Sequence, residues 1–199
     1  MKAFVRSLCC LFILTLFFTP HVFSQDGNKS SFLFDGFEDG NFWKTAADSS
    51  LNWTAANMAL ECRLNSEWST QGKKSITLSF GPMTKTLQST FVCTEPFEPD
   101  WGKYTQILID FYNPTEEKIS VNIAWMDREN WEWTVCKSAQ LEPGENRDVA
   151  FSLLEDLRNG KNAGKGPLEA GNEIYCVLIQ IVGKNKGGSL LLDNFRLVR

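Results

Sequence analysis

The densest run of chemically capable residues in the chain is Trp125-Met126-Asp127-Arg128-Glu129-Asn130-Trp131-Glu132-Trp133. It combines indole rings, carboxylates and a guanidinium. Flat aromatic rings stack on the axial C–H faces of sugars, and Asp, Asn, Glu and Arg side chains hydrogen-bond to sugar hydroxyls. The polar connection 127–130 lies between two strand-like runs, so the segment reads as a hairpin whose register decides which side chains share a face. With a three-residue loop, Trp125 faces Trp133 beside Val121, Ile123 and Val135, which is a core face. With a two-residue loop, Trp131 and Trp133 share a face with Asn122, Ala124 and Met126, which is half polar and suits a sugar platform. The sequence leaves both registers open. The candidate site is Trp131 and Trp133 as stacking platforms with Asp127, Arg128 and Glu132 as polar partners, and Trp125 in the core.

The same acids raise a catalytic alternative. Retaining glycosidases need two carboxylates roughly 5 Å apart, held on facing elements. Asp127, Glu129 and Glu132 instead lie in or beside one turn. The only histidine, His21, precedes the folded region, so a Ser-His-Asp or Cys-His nucleophile, a histidine base and a histidine-ligated zinc have no residue to supply them. A lyase base would have to come from Tyr104, Tyr112 or Tyr175. No catalytic residue is assigned, and a jelly-roll glycoside hydrolase or lyase remains the alternative to a binding function. A third reading is a cell-surface structural or adhesion domain that binds protein.

With 20 basic and 24 acidic residues, the net charge is −4, and no basic cluster offers a nucleic acid a footprint. The first 24 residues have the three parts of a secretory signal peptide: Lys2 and Arg6, an apolar run from Leu8 to Phe18, and small Ser24 at the end. The run is too short to span a bilayer. The expectation is cleavage near Ser24-Gln25, export or periplasmic residence, no membrane span afterwards, and a monomer. Residues 25–30 then form a flexible tail, and 31–199 one domain.

Cys9 and Cys10 fall in the signal segment; Cys62, Cys93, Cys136 and Cys176 follow it. Four cysteines allow three complete pairings, and spacing does not choose among them. Buried free thiols acting as small hydrophobes are one reading; an oxidising compartment tilts the balance slightly to at least one bridge. No CxxC occurs, which removes zinc-ribbon and redox motifs.

The elements that position these groups read as strands. Residues 32–34, 75–80, 107–112, 119–126, 131–136, 174–182 and 189–198 are short apolar or alternating runs, and Gly, Pro, Asn or Asp bounds most of them. That spacing predicts an all-β sandwich. One short helix is expected over 153–158, stopped by Asn159-Gly160.

Five further motifs occur in order: Phe34-Asp35-Gly36-Phe37-Glu38-Asp39-Gly40 with Trp43 after it, the stretch 72–78 beginning Gly72-Lys73-Lys74, Asp100-Trp101-Gly102-Lys103-Tyr104, the stretch 141–146, and Leu191-Leu192-Asp193-Asn194-Phe195. In this the chain resembles the galactose-binding-like β-jelly-roll domains, most of all the carbohydrate-binding modules of secreted bacterial glycoside hydrolases. The resemblance implies a two-sheet antiparallel jelly-roll sandwich, a polysaccharide or oligosaccharide partner and a secreted, non-catalytic role. It also implies a structural calcium ion (Ca2+) held by the carboxylates of Glu38 and Asp193, with backbone carbonyls near Gly36 and Lys74 completing the six to eight oxygens that calcium takes.

Overall fold

The computed structural model of the chain describes residues 30–49, 57–85, 87–94, 101–127, 133–153 and 174–199, with the side chains of Asp127 and Trp133 excepted. The signal segment, nearly all of the 25–30 tail, the helix expected beyond Leu153, and Arg128, Trp131 and Glu132 lie outside these residues.

Among the described residues, twelve strands build two antiparallel sheets packed face to face. The front sheet runs β10 (Gly144–Ser152), β6 (Gln106–Asn113), β12 (Gly188–Val198), β4 (Ser75–Phe80), β3 (Ala59–Asn65), with β1 (Ser31–Asp35) paired to the end of β12. The back sheet runs β2 (Trp43–Thr45), β5 (Gln88–Cys93), β11 (Ile174–Val182), β7 (Ile119–Asp127), β8 (Trp133–Val135), with β9 (Ala139–Leu141) also on β7. A short 3-10 turn, Trp101–Lys103, precedes β6. The chain is an all-β jelly-roll sandwich.

Period-two alternation explains which residues meet. Along β6, Ile107, Ile109 and Phe111 point inward and are fully buried, as are Leu190, Leu192, Phe195 and Leu197 of β12. In the back sheet, Val121, Ile123 and Trp125 of β7 face Val177, Ile179 and Ile181 of β11 on the inner side. Trp43, Trp101 and Trp125 are buried in this core, with Trp101 and Trp125 in contact at 6.3 Å between ring centroids. Burial of three such rings excludes more apolar surface than any other residue type in the domain contributes per side chain.

β3 and β5 carry no clear apolar period in sequence. β3 is an edge strand whose Leu60 is 64% exposed, so its apolar residues do not mark the core face. β5 buries Ser89 and Thr90, polar residues that mask a buried strand. No disulfide is formed in this structure among the described cysteines, of which Cys62 is half-buried and Cys93, Cys136 and Cys176 are buried.

Two of the front sheet's bulges flank β6. The register slips between Asn146 and Val149 on β10 and between Asp193 and Arg196 on β12, the two neighbours of β6. Asp148 (φ 51°) and Asn194 (φ 55°) take left-handed backbone there. Bulges bend a strand and increase its local twist. The Asp148 N–H donates to Asp110 Oδ1 at 2.8 Å, and Asn194 Nδ2 donates to Asp110 Oδ2 at 3.0 Å, so one buried carboxylate on β6 joins both bulges.

Candidate functional site

The outward face of the front sheet carries a groove of about 450 Å3. The inward alternation of β6 leaves Leu108, Asp110 and Tyr112 on this outer side, and Tyr112 reaches the groove. Trp68 joins it from the connection between β3 and β4. Arg63, Asn65 and Glu67 line one side, Ser189 and Leu191 the other, and Thr77 the floor. The Thr77 hydroxyl is buried beneath the groove and has no hydrogen-bond partner among the described residues.

Trp68 is held in place. Its Nε1 donates to Glu145 Oε1 at 3.0 Å, and its ring lies 5.8 Å from that of Tyr112 at a 35° tilt. The Arg147 guanidinium sits 5.9 Å from the indole centroid and also grips Glu145 at 3.2 Å. The Trp68 indole, followed by Arg147, holds the Glu145 carboxyl below its ordinary value of 4.5. Both rings are only half-buried. A pre-positioned aromatic ring costs little conformational entropy when it binds.

The 65–74 connection that delivers Trp68 is fastened at several points. Asn65 Oδ1 accepts from the N–H groups of Glu67 and Trp68, and Ser75 Oγ donates to the Trp68 carbonyl at 2.5 Å. Beneath it, Asp110 and Asp193 stand opposite each other on β6 and β12. Thr70 Oγ1 donates to Asp110 Oδ2 at 2.6 Å, and the N–H groups of Thr70 and Gln71 donate to Asp193 Oδ2 at 2.5 and 2.8 Å. Burial alone would raise Asp110. The N–H of Asp148, Thr70, Asn194 and the Arg196 charge together hold it below the usual value. For Asp193 burial wins, and its carboxyl lies above the usual range despite its donors.

The residues expected to bind calcium meet at the same connection. Glu38 Oε1 accepts the N–H groups of Lys73 and Lys74, both at 2.7 Å, and the Lys74 ammonium donates to the Glu38 carbonyl at 2.7 Å. Gly72 (φ 71°) packs against the Glu38 carboxylate, and Gly36 against the Gln71 amide oxygen, so closely that a Cβ at either would collide. Gln71 Oε1 is buried there with no hydrogen-bond donor among the described residues. Asp193 and Asp39 add to the burial that raises Asp35. An unpartnered amide oxygen amid carboxylates suits a hard cation. No group of three or more His, Cys, Asp or Glu side chains is placed to hold a metal among the described residues, so amide and carbonyl oxygens would have to supply part of the shell.

At the hairpin, Met126 pairs with Trp133 and Trp125 with Thr134. This is the pairing of the two-residue-loop register. Asp127 pairs with Ile174. On the Met126 face, Ala124, Met126, Cys176 and Leu178 form a second buried apolar cluster, and Asn122 is 9% exposed. That stretch is therefore covered, not an open half-polar platform.

The sequence does not single out Trp68, and it offers Tyr112 only as a conceivable lyase base, not as a stacking ring. The available signals were a lone tryptophan inside the polar run Asn65-Ser66-Glu67-Trp68-Ser69-Thr70-Gln71, and the alternation that turns Tyr112 away from Phe111.

The sandwich and its groove can be compared with solved structures. A family 11 carbohydrate-binding module of the cellulosomal cellulase Lic26A-Cel5E of Clostridium thermocellum superposes with a TM-score of 0.57, 16% identity, and 85% of this chain and 94% of that chain covered. A carbohydrate-binding module described as specific for non-crystalline cellulose, CBM28, gives 0.58, 15%, 84% and 94%. The fold is that of the carbohydrate-binding modules. The CBM27-1 module of Caldicellulosiruptor saccharolyticus, solved in complex with mannohexaose, gives 0.51, 15%, 84% and 96%. No protein-family model and no curated protein matches the chain.

Proposed function

We propose that this chain is a secreted, non-catalytic polysaccharide-binding protein, and that the front-sheet groove is its binding site. The observation that carries the reading is the clamped Trp68 ring beside Tyr112 in the outward groove of the front sheet. Half-exposed rings supply stacking, and the flanking Arg63, Asn65 and Glu67 supply partners for sugar hydroxyls. The carbohydrate-binding modules with this fold support the ligand class. The buried acids favour binding over catalysis. Asp110 and Asp193 face each other as a catalytic pair would, but protein donors hold both of them beneath the Thr70 segment.

The hairpin set of Trp131, Trp133, Asp127, Arg128 and Glu132 is the second candidate within the same function, supported by the pairing of Met126 with Trp133, which is that of the two-residue-loop register. Electrophoresis through gels containing a panel of polysaccharides tests both. Retardation lost in Trp68→Ala supports the groove, whereas retardation lost only in Trp131→Ala and Trp133→Ala moves the site to the hairpin. Release of reducing sugar by the parent protein would overturn the non-catalytic reading.

We propose in addition that a structural calcium ion is held by Glu38, Asp193 and the Gln71 amide oxygen, with carbonyls near Gly36 and Lys74. Export is proposed on the signal-like segment, and no helix among the described residues is long and apolar enough to cross a membrane.

A further inference from the structure

The four cysteines admit only one bridge in this fold. The chain crosses from one sheet to the other at Asn57, which forms an isolated parallel bridge with Gln88. Met58 N–H donates to the Gln88 carbonyl at 2.8 Å, and the Asn57 side chain accepts the Thr90 N–H at 3.0 Å. From that bridge β3 and β5 set out in the same direction, β3 into the front sheet and β5 into the back. Cys62 lies five residues beyond Asn57, and Cys93 five residues beyond Gln88.

Both cysteines face the space between the sheets. Cys62 pairs with Leu78 and Cys93 with Val177, inward residues of the main core. Asn41 ties the two strands together at this level. Its Nδ2 donates to the Cys62 carbonyl at 3.1 Å, and its Oδ1 accepts the N–H of Trp43, which pairs with Cys93. Burial pushes the Cys62 thiol up, and Cys93 is close enough to add to the rise.

The other two cysteines are placed differently. Cys176 pairs with Met126 and points to the other face of the back sheet, into the second cluster. Cys136 follows β8 and donates to the Ser152 carbonyl on β10 at 3.3 Å. β8 lies three strands from β5, about 14 Å at ~4.8 Å per strand, and β10 is at the opposite edge of the front sheet from β3. A disulfide needs Cα atoms within about 7 Å. No complete pairing of the four is therefore compatible with the sandwich.

We propose that Cys62 and Cys93 form a single inter-sheet disulfide in an oxidising compartment, with Cys136 and Cys176 remaining thiols. The reaction is exchange with a small-molecule disulfide such as glutathione disulfide. One cysteine thiolate attacks it and releases one glutathione thiol; the second attacks the mixed disulfide and releases another. The pair loses two electrons, glutathione disulfide gains them, and the protons of the two cysteines pass to the released thiolates through solvent. Because buried thiols react slowly, the bond forms while the chain folds.

The test is to refold the denatured, reduced full chain in glutathione disulfide and glutathione, then unfold it with iodoacetamide present and map the peptides by mass. The expected result is a Cys62–Cys93 linked peptide, with Cys136 and Cys176 alkylated. Reading individual peptides keeps Cys9 and Cys10 out of the comparison. The oxidised protein should also melt several degrees above the reduced one, and Cys62→Ser should remove that difference. Alkylation of Cys62 and Cys93 to the same extent as Cys136, or a link from either to another cysteine, overturns the proposal.

Discussion

Trp68→Ala should abolish most glycan binding and leave the sandwich standing. A tryptophan buries roughly 150–250 Å2 when fully enclosed, so one ring face covered by a sugar accounts for about 80–100 Å2. At ~25 cal/mol per Å2 that is ~2–2.5 kcal/mol of affinity, or a loss of about 30–60-fold in Kd. The cost to the fold is smaller, because Trp68 lies outside the main core cluster. The substitution removes the tilted contact with Tyr112 and the hydrogen bond to Glu145. An aromatic contact of this kind contributes about 1 kcal/mol, a fall of ~2–4 °C in melting temperature for a domain of this size. Calorimetric titration with the best ligand from the polysaccharide panel reads the first quantity, and a thermal melt the second. Trp68→Phe, which keeps a ring but loses the Nε1 donor, should fall between. Parent-level affinity in a Trp68→Ala protein with a native melt would refute the groove as the site.

Protonation of Glu145 frees the indole, and its lowered carboxyl means the clamp persists from neutral pH down through 4.5 and fails only below it. Binding measured across that range should be flat and then drop, and a decline already at pH 6 would count against the clamp. Thr70→Val removes the hydroxyl that spans Asp110 and Asp193, so affinity should fall through a loosened 65–74 connection, detected as a change in Trp68 fluorescence. If calcium is bound at a hundred times its dissociation constant, chelation should remove about 2.7 kcal/mol of stability, read as a melting shift that Asp193→Ala no longer shows. Trp125→Ala should cost about 3–5 kcal/mol in chemical denaturation, as truncation of a buried tryptophan does.

Much of this molecule is legible in one dimension. Period-two runs such as 75–80, 107–112 and 174–182 declare strands because a pleated sheet presents alternate residues to one side, and local sequence alone states that alternation. The all-β sandwich and the inward position of Trp125 follow from the same rule, whereas the jelly-roll class rests on the resemblance. What the sequence left open were quantities set by contacts between distant segments. The hairpin register depends on a one-residue choice, which the pairing of Met126 with Trp133 makes. The fate of each tryptophan depends on what lies across from it: Trp43 and Trp101 are core, while Trp68 stands on an outer face beside Tyr112 and Glu145, residues far along the chain. β3 and β5 escaped because edge exposure and buried hydroxyls erase the apolar period. Cysteine pairing escaped because it is a matter of Cα distance across two sheets. Only the crossing at Asn57 and Gln88 brings Cys62 level with Cys93 and sends Cys176 to the opposite face.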